Sequence, residues 1–308
     1  MQTEQGILRY SIATTLVLAS VGVMFGLLAH SFSIIFDGIY MLVDAAMSAL
    51  ALVVARLIAT STAPNAPRGK LQERFTFGFW HLEPMVLGLN GIMLVGASVY
   101  ALITAIGSLL VGGRELEFGY AIGYTAFALA VSCFMILIEM RANRSIRSDF
   151  IALDIKSWLI SAGIAGSLCI AFCIGYAVDG TPLEWISPYV DPVVLSLICL
   201  AIIPLPVATI RRALSEVLLL TPRSLREHVD SVAKHFVARY GFISHRAYVA
   251  KVGRGKQIEL YFIVPRGGPA QRLEEWDEIR DEIGNAIGDE GPDRWLTIAF
   301  TTDSQWAT

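Results

Sequence analysis

Five stretches of this chain run for nineteen residues or more without a charge: Tyr10–Ala29, Pro84–Gly113, Phe118–Ile138, Ser157–Val178 and Pro192–Ile210. Each approaches or exceeds the ~20 residues that an α-helix needs to cross ~30 Å of hydrocarbon. A sixth apolar run, Ser31–Ala55, carries two aspartates, Asp37 and Asp44, and no other charge. Backbone amides in lipid have no water to bond, so runs of this kind fold as helices. The composition agrees: 55% of the 308 residues are hydrophobic and 17% charged, against about 25% charged in soluble domains. Six spans are expected, at roughly 8–30, 31–58, 82–112, 117–140, 150–178 and 186–211. Residues 1–211 therefore read as a membrane domain.

From residue 212 to 308 the pattern changes. Charges become frequent and no run is long enough to span. Thr221-Pro222 reads as a helix start, with Thr221 as cap, and Gly241 as the stop. Ile243–Lys251 and Gln257–Val264 flank Gly253-Arg254-Gly255, a hairpin signal. Ile258, Leu260, Phe262 and Val264 alternate as one buried face. An acidic amphipathic helix over Ala270–Ile287 and a strand over Trp295–Thr301 complete an α-β-β-α-β order. That order suits a small α+β, ferredoxin-like domain. Basic and acidic residues balance from Arg211 onward, 14 against 14, which disfavours a nucleic-acid surface.

The first eight residues hold no Lys or Arg, so the first apolar run reads as a span and not as a cleaved leader. The basic residues of the connections collect on one side: Arg9, then Arg56, Arg68, Lys70 and Arg74, then Arg141, Arg144 and Arg147, then Arg211 and Arg212. Opposite them stands only Arg114 among the short connections. The positive-inside rule then places both termini and the C-terminal domain in the cytoplasm, and the spans in the cytoplasmic membrane. All four cysteines fall in spans, so no disulfide framework is indicated. The i, i+4 pair Cys169 and Cys173 reads as packing, with a soft-metal role as the alternative. Gly88, Gly91, Gly96, Gly163 and Gly166 suit close helix packing in lipid. Pro204 and Pro206 are expected to bend the sixth span.

Two polar stripes stand out in this apolar setting. Asp37, Tyr40 and Asp44 follow i, i+3, i+7 on the second span; Asp154, Ser157 and Ser161 repeat the spacing on the fifth. A carboxylate in hydrocarbon costs roughly 2.5–3.5 kcal/mol on insertion scales, so it faces a cavity, a cation or a proton path. Capping or bridging of helices beside a vestibule is the alternative for Asp37 and Asp154. Lys156 lies off the face of the stripe by the helical period, snorkelling to headgroups or pairing with an acid such as Glu139. Asn90 reads as an interhelical hydrogen bond, His81 and Glu83 as a charge contact at the start of the third span. Asp191 reads as the N-cap of the sixth span. His228, His235 and His245 are either isolated surface histidines or a regulatory metal site of the tail.

Several ordered stretches carry a family resemblance. They are Ser33 through Asp44, Phe77-Gly78-Phe79-Trp80-His81-Leu82-Glu83-Pro84, Ile151 through Ser161, Tyr189-Val190-Asp191-Pro192, and the helix-strand-strand-helix-strand tail. In this order the chain resembles the cation diffusion facilitator family of metal/proton antiporters. The resemblance implies a four-ligand transport site at the positions of Tyr40, Asp44, Ser157 and Ser161, of which only Asp44 keeps the usual ligand type. Gln72, Phe75 and Phe79 stand where some members have an auxiliary inner-loop site. His245 occupies a family metal position in the tail, whereas Tyr261, Trp276 and the Ile298–Asp303 segment replace most of the others.

The matched membrane positions hold no His and no Cys, while zinc favours such ligands. Three carboxylates, a phenol and two hydroxyls suit harder divalent ions such as Mn²⁺, Mg²⁺ or Ca²⁺. Metal entry among carboxylates displaces protons. The expectation is thus a homodimer, embedded in the lipid bilayer, that exports a divalent metal ion against protons, with no resident cofactor and no enzymatic activity. The alternatives are a transport-silent regulatory or heteromeric partner, and a transporter of another hard or monovalent cation. Asp37, Asp44, Asp154 and Tyr40, Ser157, Ser161 are the candidate metal residues, with His245 a possible cytoplasmic one.

Overall fold

The computed structural model describes residues 4–61, 75, 78–146 and 149–307. The connection bearing Pro64, Pro67, Arg68, Gly69, Lys70, Gln72 and Arg74, together with Phe77 and Arg147, lies outside the described residues. Six helical stretches are long and apolar enough to cross a membrane. They are α1 (Glu4–Leu28), α2 (Phe32–Ser61), α3 (Leu82–Leu110), α4 (Phe118–Ile146), α5 (Asp149–Val178) and a final stretch in pieces. That stretch begins with a 3₁₀ turn (Glu184–Tyr189), continues as α6 (Val190–Ile202) and resumes as α7 (Leu205–Val217). The break falls at Ile203-Pro204. Proline lacks the N–H that would continue the ladder, and its ring crowds the carbonyl four residues back. Pro206, by contrast, sits in the first turn of α7, where no amide bond is lost.

Large apolar side chains are exposed around the helices, among them Leu27, Ile103, Leu137, Ile170 and Leu200. Hydrocarbon is the solvent that such a surface requires. The chain folds as two compact units, one of residues 1–49 and 90–208, the other of 50–89 and 209–308.

In the first unit a core of Leu18, Ile34, Met41, Tyr124, Met135, Trp158, Leu168 and Phe172 joins α1, α2, α4 and α5. A second core of Phe36, Ala101, Ala105, Leu195 and Cys199 joins α2, α3 and α6. Of the glycines expected at close contacts, Gly88 is one: a Cβ there would meet Ala213 at 3.2 Å. A Cβ at Gly38 would press on the Ala19 carbonyl, and one at Gly26 on Ile35, whereas Gly96 and Gly163 face open space. Gly26 and Gly38 thus let α1 and α2 approach closely near Asp37, and Gly22 and Gly175 do the same for α1 and α5 against Tyr124 and Phe118 of α4.

In the second unit the C-terminal residues form α8 (Arg223–Tyr240), β1 (Ser244–Val252), β2 (Gly255–Ile263), α9 (Leu273–Ile287), β3 (Arg294–Thr301) and a 3₁₀ turn (Ser304–Ala307). The sheet order is β1-β2-β3, with β1 antiparallel and β3 parallel to β2. The α-β-β-α-β order expected from sequence is present. Ile258, Leu260 and Phe262 are buried beneath Val229, Phe236, Ile279 and Ile283 of the two helices. Gly241 closes α8 with φ +69°, the left-handed conformation that glycine takes without strain. The start of α8 departs from expectation. Pro222 is its N-cap, without a side-chain cap bond, because the Thr221 hydroxyl donates to the Val249 carbonyl of β1.

Candidate cation site

The stripe residues of α2 and α5 meet in the first unit. Asp37, Tyr40, Asp44, Asp154, Ser157 and Ser161 all line one cavity of about 140 Å³. Thr15 of α1 and the apolar side chains Met41, Trp158, Ile160 and Ile164 complete its wall. Two helices with the same polar spacing, both contributing to one core, bring six oxygen-bearing side chains to one space. Asp37 is buried, at 5% exposure, and Tyr124 of α4 lies within its electrostatic reach. Asn90 of α3 turns its side chain to Asp44, so the interhelical contact expected of Asn90 is made with the site itself. The Asn90 Oδ1, the Asp154 Oδ2 and the Ser161 hydroxyl are buried without a hydrogen-bond partner among the described residues. Acceptors left in that state are suited to a cation that visits. The three aspartates share a cavity without closing on one point: among the described residues no three His, Cys, Asp or Glu side chains come together closely enough to hold a metal ion.

Glu139 of α4 was not among the residues the stripes single out. It is fully buried, and it faces Asp154, Ser11 and Trp158. Lys156, for which Glu139 was one expected partner, is exposed instead. The signal in sequence was Glu139 itself, an acid within a helix otherwise uncharged from Phe118 to Ile138; a position one residue past the apolar run reads as an interface rather than an interior.

Asp191 is the second correction. It lies inside α6 and caps α2 instead of its own helix. Its carboxylate accepts from the Ser31 hydroxyl at 2.6 Å, the Phe32 amide at 3.0 Å and the Ser33 amide at 3.3 Å, and the Ser33 hydroxyl donates to the Asp191 carbonyl at 3.1 Å. The start of α2 has orphan amides that need an acceptor, and its own N-terminal residue is Phe32. Ser31 caps one of these amides locally, its hydroxyl accepting from the Ile34 N–H at 3.2 Å, and the buried acid of the neighbouring helix takes the Phe32 and Ser33 amides.

In the second unit Glu83, at the start of α3, accepts from the Arg254 side chain at 3.2 Å and from its amide at 3.3 Å. His81 stacks on Phe75 with ring centroids 5.7 Å apart. The charge contact expected here is thus made by Glu83. His245 Nε2 is 2.8 Å from Asp230, whose other oxygen holds Lys234 at 2.7 Å. Lys234 first, and then His245, hold the Asp230 carboxyl below the usual carboxylate range. His228 contacts the Ile287 carbonyl at 3.0 Å. The three tail histidines have separate partners, and they do not gather into one group.

Six apolar helical stretches, three of which line a cavity with oxygen-bearing side chains, followed in the chain by a small α+β domain, have the make-up of a polytopic membrane transporter. The model of the cation efflux transmembrane domain matches residues 8–218, more than half of the chain. The protein belongs to the cation efflux family, a family of cation transporters. No curated protein matches the chain.

Proposed function

We propose that the protein exports a divalent metal ion from the cytoplasm by exchange for protons, as a homodimer with both termini on the cytoplasmic side. The observation that carries this reading is the cavity wall, on which three carboxylates, a phenol and three hydroxyls are joined by no histidine and no cysteine. A wall whose acidic and hydroxyl groups bind through oxygen favours a hard divalent ion over zinc. Protons follow from the same residues. A carboxylate that releases its metal is free to take a proton, so the two cargoes compete for Asp37, Asp44 and Asp154. Basic residues on one side of the spans support the orientation.

One observation favours a second reading, a transport-silent partner subunit: the acidic side chains of the cavity stand apart rather than converging. Alternating access reconciles that spacing with transport if the ligands converge in the other state of the cycle. Flux into proteoliposomes under an imposed pH gradient separates the two readings. Mn²⁺, Zn²⁺, Fe²⁺, Co²⁺ and Cd²⁺ are compared with Asp44→Asn as control. The antiporter moves at least one of these ions, Mn²⁺ ahead of Zn²⁺, and loses flux to background in Asp44→Asn. A folded, dimeric protein that moves none of them is the silent partner.

A further inference from the structure

We propose that Thr15 of α1 is a further ligand of the cation, and that its hydroxyl biases the cavity toward hard ions of high coordination number. The inference rests on the transporter reading. It brings in a third helix, since the two polar stripes lie on α2 and α5 alone.

The argument begins with the hydroxyls of α1. Its apolar run carries Ser11, Thr14, Thr15 and Ser20. A serine or threonine in a lipid-embedded helix can return its hydroxyl to a carbonyl one turn back, where no water is needed. Thr14 does so, donating to the Tyr10 carbonyl at 2.9 Å, and Ser20 donates to the Leu16 carbonyl at 2.8 Å. Ser11 accepts the Trp158 indole N–H at 2.9 Å. Thr15 is the one of the four that lines the cavity, where it joins the acids of the stripes.

Its place there is held from both sides. Ser11, Thr15 and Ala19 follow i, i+4, i+8 and so share one face of α1. One turn before Thr15, Ser11 is tied to Trp158 of α5. One turn after it, the Ala19 carbonyl stands so near α2 that a Cβ at Gly38 would lie 2.9 Å away. Both flanking residues are buried, Ser11 at 2% and Ala19 at 0% exposure. Each turn rises ~5.4 Å, so the Thr15 hydroxyl lies at a depth between these two contacts. Trp158 is itself a cavity residue, and Gly38 follows Asp37 in the chain. The face of α1 that bears Thr15 thus cannot turn to the lipid without breaking one contact or the other.

The chemistry of a hydroxyl suits this place. Three carboxylates already carry more negative charge than a divalent ion offsets, and a neutral oxygen adds a ligand without adding charge. A hydroxyl has a proton to donate and lone pairs to offer. It can serve an aspartate while the cavity is empty and turn its oxygen to the ion when one enters. Zinc is satisfied by about four ligands and favours nitrogen and sulfur, so one more oxygen gives it little. Mg²⁺, Ca²⁺ and Mn²⁺ take roughly six or more oxygens. Thr15 therefore contributes more to the affinity for a hard ion than to that for zinc.

The test is Mn²⁺ binding to the full-length protein in detergent, followed by the loss of the free-ion paramagnetic signal, with Zn²⁺ measured by competition. Flux is measured on the same preparations. Thr15→Val puts a methyl where the hydroxyl was, at nearly the same shape. It should raise the Mn²⁺ dissociation constant about ten-fold and that of Zn²⁺ by less, so that the preference for Mn²⁺ falls. Thr15→Ser keeps the hydroxyl and should recover most of the lost Mn²⁺ affinity. Where the Val variant fails to fold, Thr15→Ala against Thr15→Ser makes the same comparison of a side chain with and without its oxygen. An isotherm for Thr15→Val that superposes on the parent, in protein that still shows Asp44-dependent flux, overturns the ligand and leaves the transporter reading standing. So does an equal loss for both ions, or an equal loss in Val and Ser, since either marks packing and not coordination. Saturable binding without flux overturns the transporter reading, and the isotherms then still decide the role of Thr15. A parent protein that binds no Mn²⁺ overturns the inference outright.

Discussion

Asp191 shows how much one side chain can hold in a bilayer protein. It accepts three hydrogen bonds from the first residues of α2 while buried at 2% exposure. Asp191→Ala leaves those donors with neither water nor a partner. We expect a loss of about 2–4 kcal/mol, the sum of a lost cap and of buried donors left unpaired. Asp191→Asn keeps one acceptor oxygen and should lose about half as much. Thermal unfolding followed by fluorescence-detected gel filtration checks both, and an Ala variant that unfolds with the parent would refute the clamp. At this scale the sequence was only partly legible. Asp37 and Asp44 announce themselves by being charged within an apolar run, Asp154 by repeating their spacing at the edge of another, and periodicity alone brings Tyr40, Ser157 and Ser161 to their side. Partners across helices carry no such mark. Asp191 reads as the cap of its own helix because capping is a local rule, and the contacts of Asn90 and Glu139 with the stripe aspartates depend on packing that no local pattern encodes.

Elements were the most legible level. Span positions, the hairpin and the order of the tail follow from hydropathy and turn chemistry, and the kink expected of Pro204 is a complete break between α6 and α7. The β1–β2 hairpin adds a detail of its own. Gly253 has φ +57° at the first of two turn residues, as a II′ turn asks of glycine. A Cβ there would lie 2.9 Å from the Trp80 carbonyl oxygen and from Glu83. Gly253→Ala must therefore meet both a left-handed backbone and a crowded neighbour. It should cost about 1–3 kcal/mol, whereas Gly253→Asn relieves the first of these, since Asn tolerates that conformation. A lowered thermal midpoint for Ala, with Asn between it and the parent, is the expected order. Equal midpoints for all three proteins would mean that the turn is not held. Thr221 is the counter-example: the Thr-Pro pair marks the helix start correctly, yet the threonine hydroxyl bonds a strand that lies 28 residues further on.

For the molecule as a whole, the chain divides its electrostatics. Asp37, Asp44 and Asp154 line the cavity, Asp191 holds the start of α2, and ion pairs of the tail serve its fold. The carboxyls of Asp230 and Asp289 are both held below the usual range, Asp230 by Lys234 and His245, Asp289 by Lys256. A folded-state pKa below the unfolded value stabilises above the unfolded pKa, about 3.9 for Asp, and that contribution is lost as pH falls through the folded value. The difference in thermal midpoint between the parent and Asp230→Asn should therefore be present at pH 6 and shrink below pH ~4. A difference independent of pH would place the effect outside this ion pair. The six-span architecture was accessible from sequence because hydrocarbon imposes length and composition on every span at once, and the family through the ordered motifs it resembles.

The clamp at Asp191 has one more consequence. Four hydrogen bonds tie the first turn of α2 to the first turn of α6, so any swing of these two helices apart has its fulcrum there. Displacement then grows along α2 with distance from that edge. Asp37 stands ~6 Å from Ser33 along the helix axis and Asp44 ~16 Å, at 1.5 Å per residue. A given tilt thus carries Asp44 between two and three times as far as Asp37. One carboxylate stays by the pivot while the other rides toward the end of the arm, so a pair on one rigid helix acquires a fixed jaw and a moving one.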